Sequence, residues 1–197
     1  LSIRRQRQMC IRDSFWDMED LEFEGKHVSH GFKVGIGTLA STASLELLLA
    51  APIESLDIDA CVAKWKSWEE TEKEILRIFD GKPGFIDRAL TETKNKYVDK
   101  EGLRRELTAF KAAWPELKER IRKQIIPFEE VRRRLKLVGA PYEPEQLGVS
   151  RARFRDTFAK IPYMRSRFSN IDIAYRCGFM DEWLERLFGK GGIWEVE

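Results

Sequence analysis

The sequence predicts an all-α protein, and three observations carry that prediction. Apolar residues recur at spacings of three and four through several long runs, which is the period of an amphipathic helix. No sustained apolar–polar alternation and no two-residue hairpin signal occurs. Capping and breaking residues divide the periodic runs into roughly eight segments.

Size and composition agree. The chain has 197 residues and a mass of 23.1 kDa, enough for one domain or a small pair with its own core. Hydrophobic residues make up 43%, too many for intrinsic disorder. Lys plus Arg is 35 and Asp plus Glu is 33, a net charge of +2. That balance gives no strong steering toward nucleic acid or an anionic membrane, although a small acidic substrate needs only a few local cations. No uninterrupted run of ~18 apolar residues occurs, so no transmembrane helix and no membrane insertion is expected. The opening LSIRRQRQMC is basic and polar and is no secretory signal. Cys10, Cys61 and Cys177 are far apart and form neither a metal pattern nor a disulfide framework, so a cytoplasmic location is the default. A first residue Leu1 rather than Met suggests a piece of something longer.

Residues 1–29 are polar and aperiodic and read as loop with at most a turn of helix. The first coherent helix starts at His30, in HGFKVGIGTLASTASLELLLA, with Val34, Thr38, Leu45, Leu48 and Leu49 at helical spacing. Gly31, Gly35, Gly37 and Ala40 cost helix propensity, which suits close packing against another helix, a loop or a ligand. Asp57 or Asp59 caps a second helix through CVAKWKSWEETEKEILRIF, with Val62, Trp65, Ile75 and Phe79 on one stripe. DGKPG at 80–84 is a breaker, followed by a short helix over 85–96. A third long helix covers 102–125, where Pro115 either kinks it or starts a new one.

Pro127 opens FEEVRRRLKLVG, with Phe128, Val131, Leu135 and Val138 on one face and Gly139 just past its end. Ser150 caps RARFRDTFAK, which Pro162 is expected to break; residues 164–168 form a turn. Asn170 precedes a compact helix ending at Gly178, and the last helix covers 179–188. GKGG then frees a tail over 191–197. The aromatics Trp65, Trp68, Phe110, Trp114, Phe154, Phe158, Trp183 and Phe188 read as core, and Cys61 and Cys177 as buried thiols.

Candidate chemistry centres on two histidines, His27 and His30. In KHVSHG, Ser29 is a natural N-cap and His30 takes the first helical position. The helix dipole there disfavours the protonated imidazole, and neutral imidazole is the form a divalent metal binds. A mononuclear site needs three protein ligands. Composition offers two histidines plus a carboxylate such as Asp17, Glu19 or Asp20. The other reading is that His30 simply packs or caps. GIG at 35–37 lies in a helix rather than after a strand, so it is no dinucleotide fingerprint.

The stretch FWDMEDLEFEGKHVSHGFKVGIGTLAS at 15–41 resembles the start of the C-terminal helical domain in the iron-containing alcohol dehydrogenase and glycerol dehydrogenase superfamily. More narrowly, it is similar to the bacterial sn-glycerol-1-phosphate dehydrogenases, as are VRRRLKLVGAPYEPEQLGVSRARF at 131–154 and FAKIPYMRSRFSNIDIAYRCG at 158–178. The resemblance covers residues 15–190. It implies the multi-helical C-terminal domain of the dehydroquinate synthase-like, glycerol dehydrogenase fold, without the N-terminal Rossmann-like domain that binds NAD or NADP. The metal of such enzymes, zinc or in some members nickel, is held by an aspartate and two histidines. It lowers the alcohol pKa so that hydride can pass between sn-glycerol 1-phosphate and the nicotinamide.

Carried onto this chain, the resemblance makes His30 the second ligating histidine, with His27 as the alternative. Phe32 stands where many relatives have Glu. The upstream aspartate and the first histidine have no counterpart: RRQRQMCIRDS occupies 4–14, and MCIRDS reads as translated adapter sequence. Residues 1–14 are therefore expected to be non-native or disordered, and the chain to be a truncated relative with little activity and weak metal binding. Lys33, Arg165 and Arg167 are the candidate phosphate partners, whereas Arg132, Arg133 and Arg134 read as solvated surface beside Glu129 and Glu130. The expected partners are a phosphorylated polyol, the missing domain and a second copy in a homodimer. Alternatives are a glycerol or other polyol dehydrogenase fragment, or a non-catalytic helical interaction domain.

Overall fold

The computed structural model describes residues 28–196. Their elements are α1 (His30–Ala50), α2 (Ile58–Lys64), α3 (Trp68–Ile78), α4 (Pro83–Lys94), α5 (Lys100–Arg122), α6 (Phe128–Leu137), α7 (Arg151–Met164), α8 (Asn170–Cys177) and α9 (Met180–Phe188). Short 3₁₀ turns lie at Ile53–Ser55 and Pro144–Leu147. Among the described residues there is no strand, so the all-α, multi-helical class is established.

Helix α1 is the hub and packs against α5, α6, α8 and α9. It is buried nearly all round rather than along one stripe: Ile36, Leu39, Ala40, Ala43 and Leu48 are at most 2% exposed, while Leu45 and Leu49 are half-buried. Its hydroxyls make this possible. Thr38 donates to the Val34 carbonyl at 2.8 Å, Ser41 to Gly37 at 2.8 Å and Ser44 to Ser41 at 2.9 Å. These three hydroxyls, those of buried Ser41 and Ser44 among them, are thus satisfied inside their own helix. By length and composition α1 could cross a membrane, contrary to the expectation from uninterrupted apolar runs, yet 56% of its most apolar stretch is buried inside the protein.

The small residues of α1 meet a helix and a loop. A Cβ on Gly35 would lie 3.4 Å from the Leu135 side chain and 3.6 Å from the Pro141 carbonyl. Further along, Glu46 accepts from the Phe128 backbone N–H at 2.7 Å. Helices α1 and α6 therefore run antiparallel, with the first turns of α1 beside the end of α6.

Four expectations from the sequence are corrected here. The run expected as one helix after Asp57 is two. Asp57 accepts from Ala60 N at 2.9 Å and starts α2, but Ser67 and Glu70 form a reciprocal capping box that starts α3 afresh. Trp65 between them is extended because its indole N–H reaches the Val98 carbonyl at 2.7 Å. Pro115 neither ends α5 nor restarts it; it sits on the solvent side, where the carbonyl left without a partner can be hydrated. Pro162 does not end α7, which continues to Met164 and stops at extended Arg165. Val138 is not on the buried face of α6 but 74% exposed.

The largest correction concerns the tail. Trp194 is 1% exposed, and its ring lies 4.8 Å from Phe154, 5.6 Å from Phe128 and 5.8 Å from Phe188. Trp194 N donates to Leu187 O at 2.8 Å and Val196 N to Phe188 O at 2.9 Å. A Cβ on Gly192 would come within 2.6 Å of the Leu187 carbonyl, so glycine is what lets the chain fold back onto α9.

Candidate functional site

The residues singled out from the sequence lie at two separate places. His30 is exposed in the first turn of α1. Phe32 N and Lys33 N donate to the Ser29 carbonyl at 3.0 and 3.1 Å, whereas the Ser29 side chain makes no capping bond, contrary to its N-cap signature. Lys33 is half-buried one turn from His30. His27, Asp17, Glu19, Asp20 and Cys10 lie outside the described residues.

Arg165 and Arg167 belong to the turn between α7 and α8, where Arg165 is half-buried and Arg167 exposed. Arg165 stands beside Glu92, which also accepts from Ser166 N at 2.5 Å. Burial pushes the Glu92 carboxyl up, but the Ser166 hydrogen bonds with Arg88 and Arg165 hold it below the ordinary carboxylate range. The start of α8 is tied to the middle of α1, with Asn170 Nδ2 donating to Ser44 Oγ at 2.7 Å. Ser44 stands fourteen residues beyond His30, ~21 Å along the helix. Arg165 and Arg167 thus belong to the turn that leads into α8 beside the middle of α1, whereas His30 and Lys33 lie in its first turn.

The donor set does not fit a catalytic divalent ion either. Among the described residues, no group of three or more His, Cys, Asp or Glu side chains could hold a metal, and His30 alone supplies one ligand where three are needed. Nor does a strand–turn–helix platform for NAD or NADP occur among them. No step through a metal or nicotinamide follows from these residues.

Arg132, Arg133 and Arg134 are engaged with acids on the surface. Arg132 pairs with Glu143, and Arg133 and Arg134 both reach Glu130 at 2.7 Å. Hydrogen bonds from Arg133 and then Arg134 hold the Glu130 carboxyl down at about 2. Cys177 is buried, as expected, while Cys61 is only half-buried and donates to the Cys177 carbonyl at 3.5 Å. Burial, and then the nearby Cys61, push the Cys177 thiol up to about 12, which leaves it inert.

Sequence reasoning missed a polar cluster where α3, α4, α5, α7 and α8 meet. Lys96 Nζ lies 2.5 Å from Asp172 Oδ1, with side chains 11% and 7% exposed. Asp172 Oδ2 also accepts from Ser169 N and Oγ at 2.8 and 2.9 Å. Tyr163 donates to Glu74 at 3.1 Å, and burial raises the pKa of both Tyr163 and Tyr175. Arg176 pairs with Glu106 and donates to the Lys96 carbonyl at 2.6 Å. One part of this was legible: Ser169 with Asp172 three residues on is a capping-box spelling. Lys96, in the turn after α4, Glu74 on α3 and Glu106 on α5 come from far along the chain and carry no local signal.

Comparison of the sequence with family models and curated proteins, and of the fold with solved structures, gives no match.

Proposed function

We propose that this chain works as a non-catalytic helical interaction domain whose contact surface is the end carrying the first turn of α1. One observation carries the reading. Leu137 is 75% exposed, Val138 74% and Phe32 41%. Gly35 packs on Leu135, Phe32 is one turn before Gly35, and Leu137 and Val138 stand two and three residues after Leu135, so all three share that end. Apolar side chains gathered at one end of a folded core mark a contact surface.

A second reading rests on the SHGFKVG segment, which begins α1. By the resemblance to bacterial sn-glycerol-1-phosphate dehydrogenases, the partner at this end is a nucleotide-binding α/β domain. The assembled pair, in the cytoplasm, would interconvert glycerone phosphate and sn-glycerol 1-phosphate with NAD or NADP and zinc or nickel. His30 is the residue of the described chain that such an enzyme would use. A dehydrogenase for an unphosphorylated polyol fits the same segment, which the resemblance to the wider polyol dehydrogenase superfamily covers as well.

The test begins with the purified full chain, zinc or nickel, NADH or NADPH, and glycerone phosphate. The expected result is no turnover; metal-dependent oxidation of the nicotinamide overturns the non-catalytic reading. The chain is then mixed with the separately produced nucleotide-binding domain of a bacterial sn-glycerol-1-phosphate dehydrogenase. A complex in size-exclusion chromatography that Leu137→Asp abolishes supports the dehydrogenase partnership. Chains that elute separately remove that partner and leave the simpler interaction reading.

A further inference from the structure

A cavity of about 310 Å³ opens between α5 and α8. Leu107, Ala109, Phe110, Phe168 and Ile173 form apolar walls, and its only charged lining side chains are Glu106 and Arg176. It is remote from the His30 end, because α8 begins beside Ser44. Its volume and its few polar groups are those of a small-ligand site.

The chemistry at its base is unusual for a surface dimple. The Arg176 side chain is 6% exposed, while its partner Glu106 is 47% exposed. A deeply buried cation is thus balanced by a half-solvated carboxylate, although a buried charge is best matched by a buried partner. Nη2 is committed to the Lys96 carbonyl at 2.6 Å, which fixes the guanidinium plane. Nη1 is shielded from solvent and, beyond the Glu106 contact, makes no hydrogen bond. Guanidinium offers five N–H donors in a planar fork, so donors remain for a second anion. Phe168 lies over the guanidinium, 4.7 Å from ring centroid to Cζ, and is itself 52% exposed. An apolar ligand in the cavity would cover that ring.

We propose that this cavity binds an amphipathic carboxylate, its anionic head displacing Glu106 on Arg176 Nη1 and its hydrocarbon body lying against Leu107, Phe110, Phe168 and Ile173. Burial of Arg176 favours the exchange, because the incoming carboxylate brings its own apolar cover where Glu106 stays wet. The ligand class is a medium-chain fatty or arylalkyl carboxylate.

Calorimetry of the full chain with decanoate and with decanol tests this. The expected result is saturable one-to-one binding of decanoate, with decanol weaker by about tenfold or more for want of the charged hydrogen bond. Glu106→Gln, which removes the competing anion from a half-exposed position, should tighten decanoate binding severalfold. Ala109→Trp, at the exposed rim, should abolish binding while leaving helix content and thermal midpoint as in the parent. Absence of saturable decanoate binding, equal affinity for decanol, or undiminished binding to Ala109→Trp would each overturn the proposal.

Discussion

His30 and Trp194 sit near opposite ends of the described chain, each close to glycines, and the structure treats them in opposite ways. His30, in the segment that carries the family resemblance, is exposed on the first turn of α1. Trp194, in a segment expected to hang free, is 1% exposed and touches three aromatic rings. What separates them is the number of distant elements that converge. Around Trp194, α6, α7 and α9 each present an aromatic side chain at edge or stacking distance, and backbone bonds to Leu187 and Phe188 hold the strap down. Around His30, the described chain provides one turn of helix. Apparent importance in sequence and energetic commitment in structure are therefore different properties, and each can be measured.

The largest effect should come from the tail. Trp194→Ala removes a fully buried indole from an aromatic cluster and should cost about 3–5 kcal/mol in urea unfolding. A loss below about 0.5 kcal/mol would return the tail to the periphery and break the comparison. An intermediate effect should come from the far end of α1. Glu46→Ala leaves the Phe128 N–H without its acceptor and should cost about 1–2 kcal/mol, with a lower urea midpoint and an unchanged slope. An unaffected midpoint would mean that α6 is anchored by apolar contacts alone.

The smallest effect belongs to His30. His30→Ala should change stability by no more than about 0.5 kcal/mol, as at other exposed positions. Excess zinc should leave the thermal midpoint of both proteins where it was, because a ligand stabilises only a state that holds it. A zinc-dependent rise in the parent that His30→Ala removes would show that residues outside the described chain complete a donor set, and would shift weight to the dehydrogenase reading.

Much of the fold was legible because it is written locally. Asp57 and Ser150 cap the helices expected of them, and Gly178 ends α8 with a φ of 75°. The errors share one cause. Pro162 was read as a break and Pro115 as a kink or a new start, but each removes only one hydrogen bond, and both helices run on beside buried Trp114 and beside buried Tyr163 and Met164. The single helix expected after Asp57 failed because Trp65 bonds to Val98, thirty-three residues away. For the site, the sequence offered His30 as a metal ligand and Lys33, Arg165 and Arg167 as phosphate partners. It could not reveal that the start of α8 lies beside Ser44, a contact between residues 126 apart in the chain.

The sequence by itself determined the all-α class, the approximate place of most helices and their caps, since periodicity and capping act within a few residues along the chain. Tertiary structure alone decided that α1 is buried nearly all round, that the tail is core, that Arg176 and Lys96 lie within, and that α8 begins beside Ser44. Those outcomes depend on contacts between residues far apart in the chain, where side-chain burial and ion pairing, rather than local propensity, set the energy.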